Sequence, residues 1–319
     1  MKLVRIISKL VFFLYYTVKT RSVNVGYILA HHRLPLKLAG LFKSAGDSLY
    51  FPSTGNQIKK KSVAVYAGEL DKLALCLSDK RIKVYESTDD HFDITVHGIK
   101  LHVNSISNLV TLFELYIETI YDIDLGEELV VMDIGMNVCY AALWFASLPE
   151  TKKVYSYEPF ASTYEEGKSN IQLNPILADK IVPVNVGIST KNTELVVPAM
   201  GSGEGGASIN EEVLKVNSTQ SLPTVVVKVI DIEEEIERIL AIENNCRLLL
   251  KVDCEGEEYP IFEKLAHFKH LRQIAGFIIE WHIKGPAAIL DVLQKNKFSC
   301  LSLPKPDGWS GMIYAFPKA

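Results

Sequence analysis

Glu128-Leu129-Val130-Val131-Met132-Asp133-Ile134-Gly135-Met136-Asn137 is an apolar run that ends in an acid, then a glycine, then a segment able to start a helix. Two later stretches repeat the pattern, one ending in Tyr157-Glu158-Pro159 and one in Leu250-Lys251-Val252-Asp253-Cys254-Glu255-Gly256. Buried-type strands that finish in acids describe an open α/β sheet with its ligand at the carboxyl edge. A carboxylate there can accept from both hydroxyls of a ribose, which points to a nucleoside.

From Glu127 onward strands and helices alternate. Strand-like runs fall at 129–134, 153–158, 181–186, 247–253, 274–280, 298–303 and 312–316, and helical runs at 138–148, 160–173, 231–243, 257–267 and 286–296. This rhythm implies βαβ crossovers and a mostly parallel sheet. The last two strands are joined by Pro304 to Ser310, too short for a helix, so they form an antiparallel pair. Residues 188–230 break the rhythm and read as an inserted β segment.

The first 126 residues read as a separate accessory region of helices and small β elements. Phe92 to Val96 and Ile99 to Val103 flank His97-Gly98 as a hairpin, and Asn108 to Asp122 carries an amphipathic helix with Ser105 or Ser107 as its cap. At the N-terminus Lys2, Arg5 and Lys9 precede the uncharged run Leu10 to Val18, which is too short to span a bilayer. Leu3, Ile6, Ile7, Leu10, Leu14 and Val18 share one helical face. That face fits a helix packed on the body, a membrane-surface helix, or a signal or anchor segment.

The chain has 319 residues, 48% apolar and 23% charged, with a net charge of −4 and a pI of about 6.1. These values suit a folded cytoplasmic protein and give no basic field for nucleic acid. Cys76, Cys139, Cys246, Cys254 and Cys300 lack CxxC or zinc spacing and read as free thiols of a reducing compartment.

A dinucleotide site wants G-x-G-x-x-G directly after the first strand to admit a pyrophosphate. The first loop has one glycine, which disfavours an NAD-type oxidoreductase. S-adenosyl-L-methionine carries no phosphate and needs no such cradle. A literal G-x-G-x-x-G at Gly201, Gly203 and Gly206 follows a short strand deep in the chain. It has no acid at the expected distance and reads as a loop near the substrate.

Val131 to Val138, Tyr157-Glu158-Pro159 with the trailing Asn170-Ile171-Gln172-Leu173-Asn174, Leu250 to Glu258, and Ile279-Glu280-Trp281-His282 together resemble the FkbM-type S-adenosylmethionine-dependent methyltransferases. The resemblance covers about 127–319. It implies a seven-stranded Rossmann-like methyltransferase sheet, S-adenosyl-L-methionine as cofactor, and methylation of a hydroxyl on a sugar, polysaccharide or secondary metabolite. It puts Asp133, Gly135 and Asn137 at the amino-acid end of the cofactor, with Asn137 either capping the next helix or bonding the cofactor carboxylate. It puts Glu158 on the ribose and includes Asp253 in the cofactor site. Met136 and Cys139 depart from the family's usual alanine and glycine, and a side chain at 139 is expected to crowd the methionine end. A catalytically idle nucleoside-binding protein of the same fold is the alternative.

On extended strand ends Asp253 and Glu255 share a face, as do Glu280 and His282. If the two strands are neighbours, all four groups converge. His282 is then the natural neutral base for an acceptor hydroxyl, with Asp253, Glu255 and Glu280 around it. The same set suits a divalent hard cation. No ligand spacing is diagnostic of a metal, so metal-free base catalysis is preferred. Glu257, Glu258 and Glu233-Glu234-Glu235 read as solvated helix faces.

Overall fold

A computed structural model describes residues 2–123, 126, 128–199, 208–210, 223–244, 247–306 and 308–318, with side chains from residue 7. The loop with Gly201, Gly203 and Gly206, and Cys246, lie outside the described residues. The chain divides into two compact units, Met1–Ile120 and Tyr121–Ala319.

The first unit opens with helices α1 (Lys2–Thr20), α2 (Val23–His31) and α3 (Leu36–Ala39). An antiparallel sheet of β1 (Lys43–Ala45), β2 (Ser48–Phe51) and β3 (Asn56–Lys59) follows, then α4 (Leu70–Ser78). A second antiparallel sheet contains β4 (Ile82–Ser87), β5 (Phe92–Val96) and β6 (Ile99–Val103). The β5–β6 hairpin turns at His97-Gly98, both at positive φ, as a two-residue primed turn requires. Helix α5 (Ile106–Tyr116) is capped by Ser105, whose Oγ accepts from the Asn108 N–H at 3.1 Å. It stops well short of Asp122, because Thr119 takes a left-handed conformation.

The second unit is built on β7 (Leu129–Ile134), α6 (Tyr140–Ser147), β8 (Thr151–Tyr157), α7 (Ala161–Gln172), the short α8 (Pro175–Ala178) and β9 (Ile181–Val184). The inserted segment forms its own small sheet from β10 (Gly187–Ser189), β11 (Thr193–Pro198) and β12 (Thr224–Asp231). The main sheet resumes with α9 (Ile232–Ile242), β13 (Arg247–Val252), α10 (Glu258–Leu265), β14 (Ile274–His282), α11 (Ala287–Lys295), β15 (Phe298–Pro304) and β16 (Ser310–Pro317).

The order β15-β16-β14-β13-β7-β8-β9 is the seven-stranded, mostly parallel sheet expected, with β16 antiparallel to both neighbours. Every residue of β7 is buried, as a central strand covered on both faces demands. Val130, Met132, Leu250, Phe277 and Ile279 contribute to its core. The chain leaves β7 towards β8 on one side and places β13 on the other. This reversal opens a crevice beyond the carboxyl ends of β7 and β13, where open α/β sheets bind ligands.

Candidate functional site

The crevice is a cleft of about 630 Å³ counted with the open solvent at its mouth, of which about 80 Å³ is open to the centre of a water molecule. Its walls include Gly135, Asn137, Glu158, Thr163, Asp253 and Glu255.

Gly135 sits at φ +84°, and a Cβ there would lie 1.7 Å from the Asp253 carbonyl oxygen. The glycine thus serves contact between two strand ends. The N–H groups of Gly135 and Met136 both donate to the Tyr157 carbonyl, at 3.1 and 2.9 Å. These two amides of the loop are spent on the sheet.

Asp133 is fully buried and does not line the cleft. Ser156 Oγ donates to it at 2.8 Å, and Lys251 Nζ lies 3.1 Å away. Lys251 is 2% exposed, on a strand otherwise apolar between Leu248 and Val252. Its ammonium donates to the Gly135 carbonyl at 2.6 Å and also lies 3.5 Å from Asp253. Burial works against that charge, but the carboxylates of Asp133 and Asp253 outweigh it and raise the pKa. Asp133 and Lys251 are register partners across β7 and β13, so adjacent strands deliver the pair. Lys251 is a functional residue beyond the sequence expectations; its signal is a lone lysine within the apolar strand Leu248-Leu249-Leu250-Lys251-Val252.

Glu158 follows β8 and faces the cleft. One of its oxygens accepts from the Asn137 N–H and the other from the Phe160 N–H, each at 3.0 Å. Burial pushes its pKa up to about 7 against these two bonds and the Lys251 charge.

Two expectations for the first loop change. Helix α6 begins at Tyr140 with Cys139 in the cap position, so Asn137 does not cap it; Asn137 takes a left-handed conformation and lines the cleft. Cys139 is fully buried and is not part of the cleft wall. Its side chain and that of Met136 pack on α7 at Gly167, where a Cβ would meet Met136 Cε at 2.6 Å and Cys139 Cβ at 3.3 Å. The larger residues at 136 and 139 are accommodated by this glycine, away from the cleft wall.

The late groups converge. β13 and β14 are neighbours, and His282 Nε2 lies 3.8 Å from Asp253, 3.7 Å from Glu255 and 3.7 Å from Glu280. The route differs from simple alternation. Strand β13 ends at Val252, and Glu255 takes a left-handed turn conformation (φ +54°). On the other side of the ring, Glu258 Oε1 accepts from the His282 backbone N–H at 2.8 Å and lies 3.2 Å from Nδ1. The second Glu258 oxygen accepts from the Gly256 N–H at 2.7 Å. The Tyr259 hydroxyl donates to the His282 carbonyl. Lys305 Nζ sits 2.7 Å from Glu280.

Burial disfavours a charged His282, yet the Glu258 bond and the charges of Glu255, Glu258 and Asp253 outweigh it and lift its pKa to about 10. At neutral pH the ring is an imidazolium, which corrects the neutral-base reading. Burial and the neighbouring Asp253 push Glu280 up to about 7, and burial raises Glu255. Burial also works to raise Asp253, but Lys251, His282 and Lys305 hold it below the ordinary carboxylate range.

The solvated-face reading of the neighbouring glutamates is also corrected. Glu258 is fully buried, and Glu257 is buried with bonds from Ser189 at 2.6 Å and Asn210 at 3.1 Å. Glu235 is buried between the Tyr157 hydroxyl and Arg238.

Among the described residues, Asp253, Glu255 and His282 form one group whose donor atoms, all within 4.8 Å of one another, suit a metal ion; His91, Asp93 and His102 form another. In the second group His102 Nδ1 is already 2.6 Å from its cross-strand partner Asp93, and His91 Nδ1 is 2.9 Å from Thr88.

The seven-stranded sheet with its single antiparallel strand among the described residues, and a cleft at the reversal point, define a Rossmann-like α/β fold of the methyltransferase type. The model of the methyltransferase FkbM domain matches residues 133–300, more than half of the chain, and the chain belongs to that family. No curated protein sequence matches it. A solved FkbM methyltransferase from Methylobacillus flagellatus KT is 13% identical with a TM-score of 0.39, over 60% of this chain and 44% of its own length. A putative transferase from Pyrococcus horikoshii is 13% identical with a TM-score of 0.39, over 92% of this chain and 99% of its own. TYW2 of M. jannaschii, solved in complex with AdoMet, is 13% identical with a TM-score of 0.38, over 75% of this chain and 94% of its own.

Proposed function

We propose that the chain is an S-adenosyl-L-methionine-dependent methyltransferase acting on a hydroxyl of a sugar, polysaccharide or secondary metabolite. The observation that carries this reading is Glu158. Its carboxylate faces the cleft, and each oxygen spends one lone pair on a backbone N–H. A carboxylate has about four acceptor sites, so one remains on each oxygen for the two hydroxyls of a ribose. The first loop supports a ligand without a pyrophosphate. The amides of Gly135 and Met136 are spent on Tyr157, and Gly135 is pressed on the Asp253 carbonyl. Asn137 and Asp253, also in the wall, are assigned to the amino-acid end. Asp133 acts from behind, by holding Lys251.

The bound cofactor supplies an electrophilic methyl group on a sulfonium. The chain's own groups then have to orient an acceptor hydroxyl and take its proton. That role is assigned to Asp253, Glu255, Glu280 and His282 as one coupled set. His282 carries the positive charge that holds the carboxylates together. Glu280, with a pKa of about 7, is the group matched to accept a proton at neutral pH, and burial raises Glu255 in the same direction. The acids at the rim repel a polyanion, which supports a small-molecule or glycan acceptor over nucleic acid. Residues 127–319 are assigned as the catalytic domain and 1–126 as an accessory region. The free thiols Cys76, Cys139, Cys254 and Cys300 fit a cytoplasmic enzyme. The placement of Cys139 away from the cleft wall supports an active enzyme over an idle binding protein of the same fold.

Calorimetric titration with S-adenosylmethionine, S-adenosylhomocysteine and NAD tests the proposal. Binding of the first two and not the third is expected; NAD binding alone, or no nucleoside binding, defeats it.

A further inference from the structure

Helix α1 turns the wrong way for a soluble protein. The apolar stripe legible in its sequence points outward: Ile7, Leu10, Leu14 and Val18, with Val11 beside them, are 53–78% exposed. The helix packs by its other face. Tyr16 and Thr20 are buried, the Tyr16 hydroxyl donates to the Leu34 carbonyl at 2.6 Å, and Gly26 of α2 lies so close to Thr17 that a Cβ would meet its Oγ1 at 2.3 Å. Helix α2 extends the exposed apolar surface with Val23 and Tyr27, and Leu36 of α3 adds to it. Exposed large apolar side chains on three consecutive helices are of the kind that marks an interaction site.

Charge selects the occupant. The chain has a net charge of −4, yet Lys2, Arg5, Lys9, Lys19, Arg21, Arg33, Lys37 and Lys43 all precede Asp47, its first acid. One groove is lined by Phe12, Leu34 and Leu36 together with Lys9 and Arg33, the two basic residues both exposed. Two copies set face to face would press like charges together. An anionic bilayer takes both features, apolar side chains into the acyl boundary and basic groups among the headgroups. No helix of the described residues is long and apolar enough to cross a membrane. We infer that the α1–α2 hairpin is a docking surface for an anionic lipid bilayer, with α1 lying in the plane of the interface. The inference goes beyond methyl transfer and does not depend on it.

Flotation of the full chain with phosphatidylcholine vesicles, with and without phosphatidylglycerol, tests this. The protein is expected to float with anionic vesicles and to release as salt rises. The variant Val11→Glu/Val18→Glu changes two exposed positions, so the fold and its thermal transition should persist while partitioning falls at least about tenfold. Lys9→Glu/Arg33→Glu should lose roughly fivefold or more per charge on anionic vesicles. Cofactor titration should be unchanged in both. Wild-type flotation by Val11→Glu/Val18→Glu would overturn the inference. So would failure of the wild-type chain to float on anionic vesicles at low salt, or a lipid-free dimer abolished by Val11→Glu/Val18→Glu, which would make a second copy the occupant.

Discussion

Two ionic clusters stand at the same carboxyl edge, joined through Asp253. On one side Asp133, Lys251 and Ser156 are sealed, with Asp133 and Lys251 at 0% and 2% exposure. On the other, His282 and Lys305 meet Asp253, Glu255, Glu258 and Glu280, and Asp253 and Glu255 remain partly exposed at the cleft. The first cluster has its charges matched and no route to a ligand. The second has more carboxylates than cations and opens onto the cleft, so its protons can be exchanged with a substrate. Acid at a strand end therefore does not by itself define a site. Charge balance and access divide these two.

The sharpest way to break the comparison is to remove the sealed cation. Lys251→Met leaves Asp133 buried and unpaired, and should cost about 3–5 kcal/mol in urea unfolding. Lys251→Met/Asp133→Asn should recover much of that loss. A Lys251→Met protein of wild-type stability would show that the sealed cluster does not organise the edge.

The open cluster should respond in turnover instead. His282→Gln should lower kcat by roughly 10²–10⁴ while the cofactor Kd moves little, and Asp253→Asn should lower kcat by a similar factor and also weaken cofactor binding, since Asp253 is assigned to both. Wild-type turnover in both would remove the cluster from the chemistry. If a cation rather than the His282 proton balances these acids, a chelator should abolish wild-type turnover and a divalent salt restore it.

Glu158→Gln tests the ribose contact. Loss of a charge-assisted acceptor costs roughly 1.5–3 kcal/mol, so cofactor affinity should fall about tenfold or more by calorimetry. Unchanged affinity in the folded variant would sink the assignment.

The pH dependence of stability separates the clusters without any substrate. His282 has a folded pKa of about 10, above its ordinary 6.5. Its contribution is complete below pH 6.5 and is lost as pH rises through 10. Chemical denaturation of the wild-type protein should show stability declining from near neutrality to pH 10. His282→Gln should flatten that decline, and an equal slope in both proteins would mean the imidazolium is not held as described.

The smallest effect is expected at Cys139→Gly. Its φ of +70° suits glycine, but the variant loses a buried side chain packed on Gly167. These oppose each other, and the net change in stability should stay within about 1 kcal/mol. Cofactor affinity should not change, because Cys139 is away from the cleft; an affinity collapse with the fold intact would contradict that placement.

Local pattern determined the sheet. The apolar runs ending at Asp133, Glu158 and Asp253 became β7, β8 and β13 because a continuous buried strand and an amphipathic helix have different periods, readable in one dimension. The antiparallel last pair followed from a loop too short for a helix. The convergence of Asp253, Glu255, Glu280 and His282 was legible in its outcome from neighbouring strands, but not in its route, which takes a left-handed turn at Glu255 beyond the end of β13. What sequence could not fix was which charges meet. Lys251 and Asp133 are far apart in the chain and pair only through the β7–β13 register. Glu258 looked like a helix-face acid until α10 carried it under His282, and that contact helps convert an expected base into a cation. Gly167, on another helix, made room for Met136 and Cys139. The stripe on α1 was plain from its spacing, but periodicity states only that a helix has an apolar face. Which way that face turns depends on what else packs against the helix, and here Gly26 and Tyr16 hold the opposite side inward.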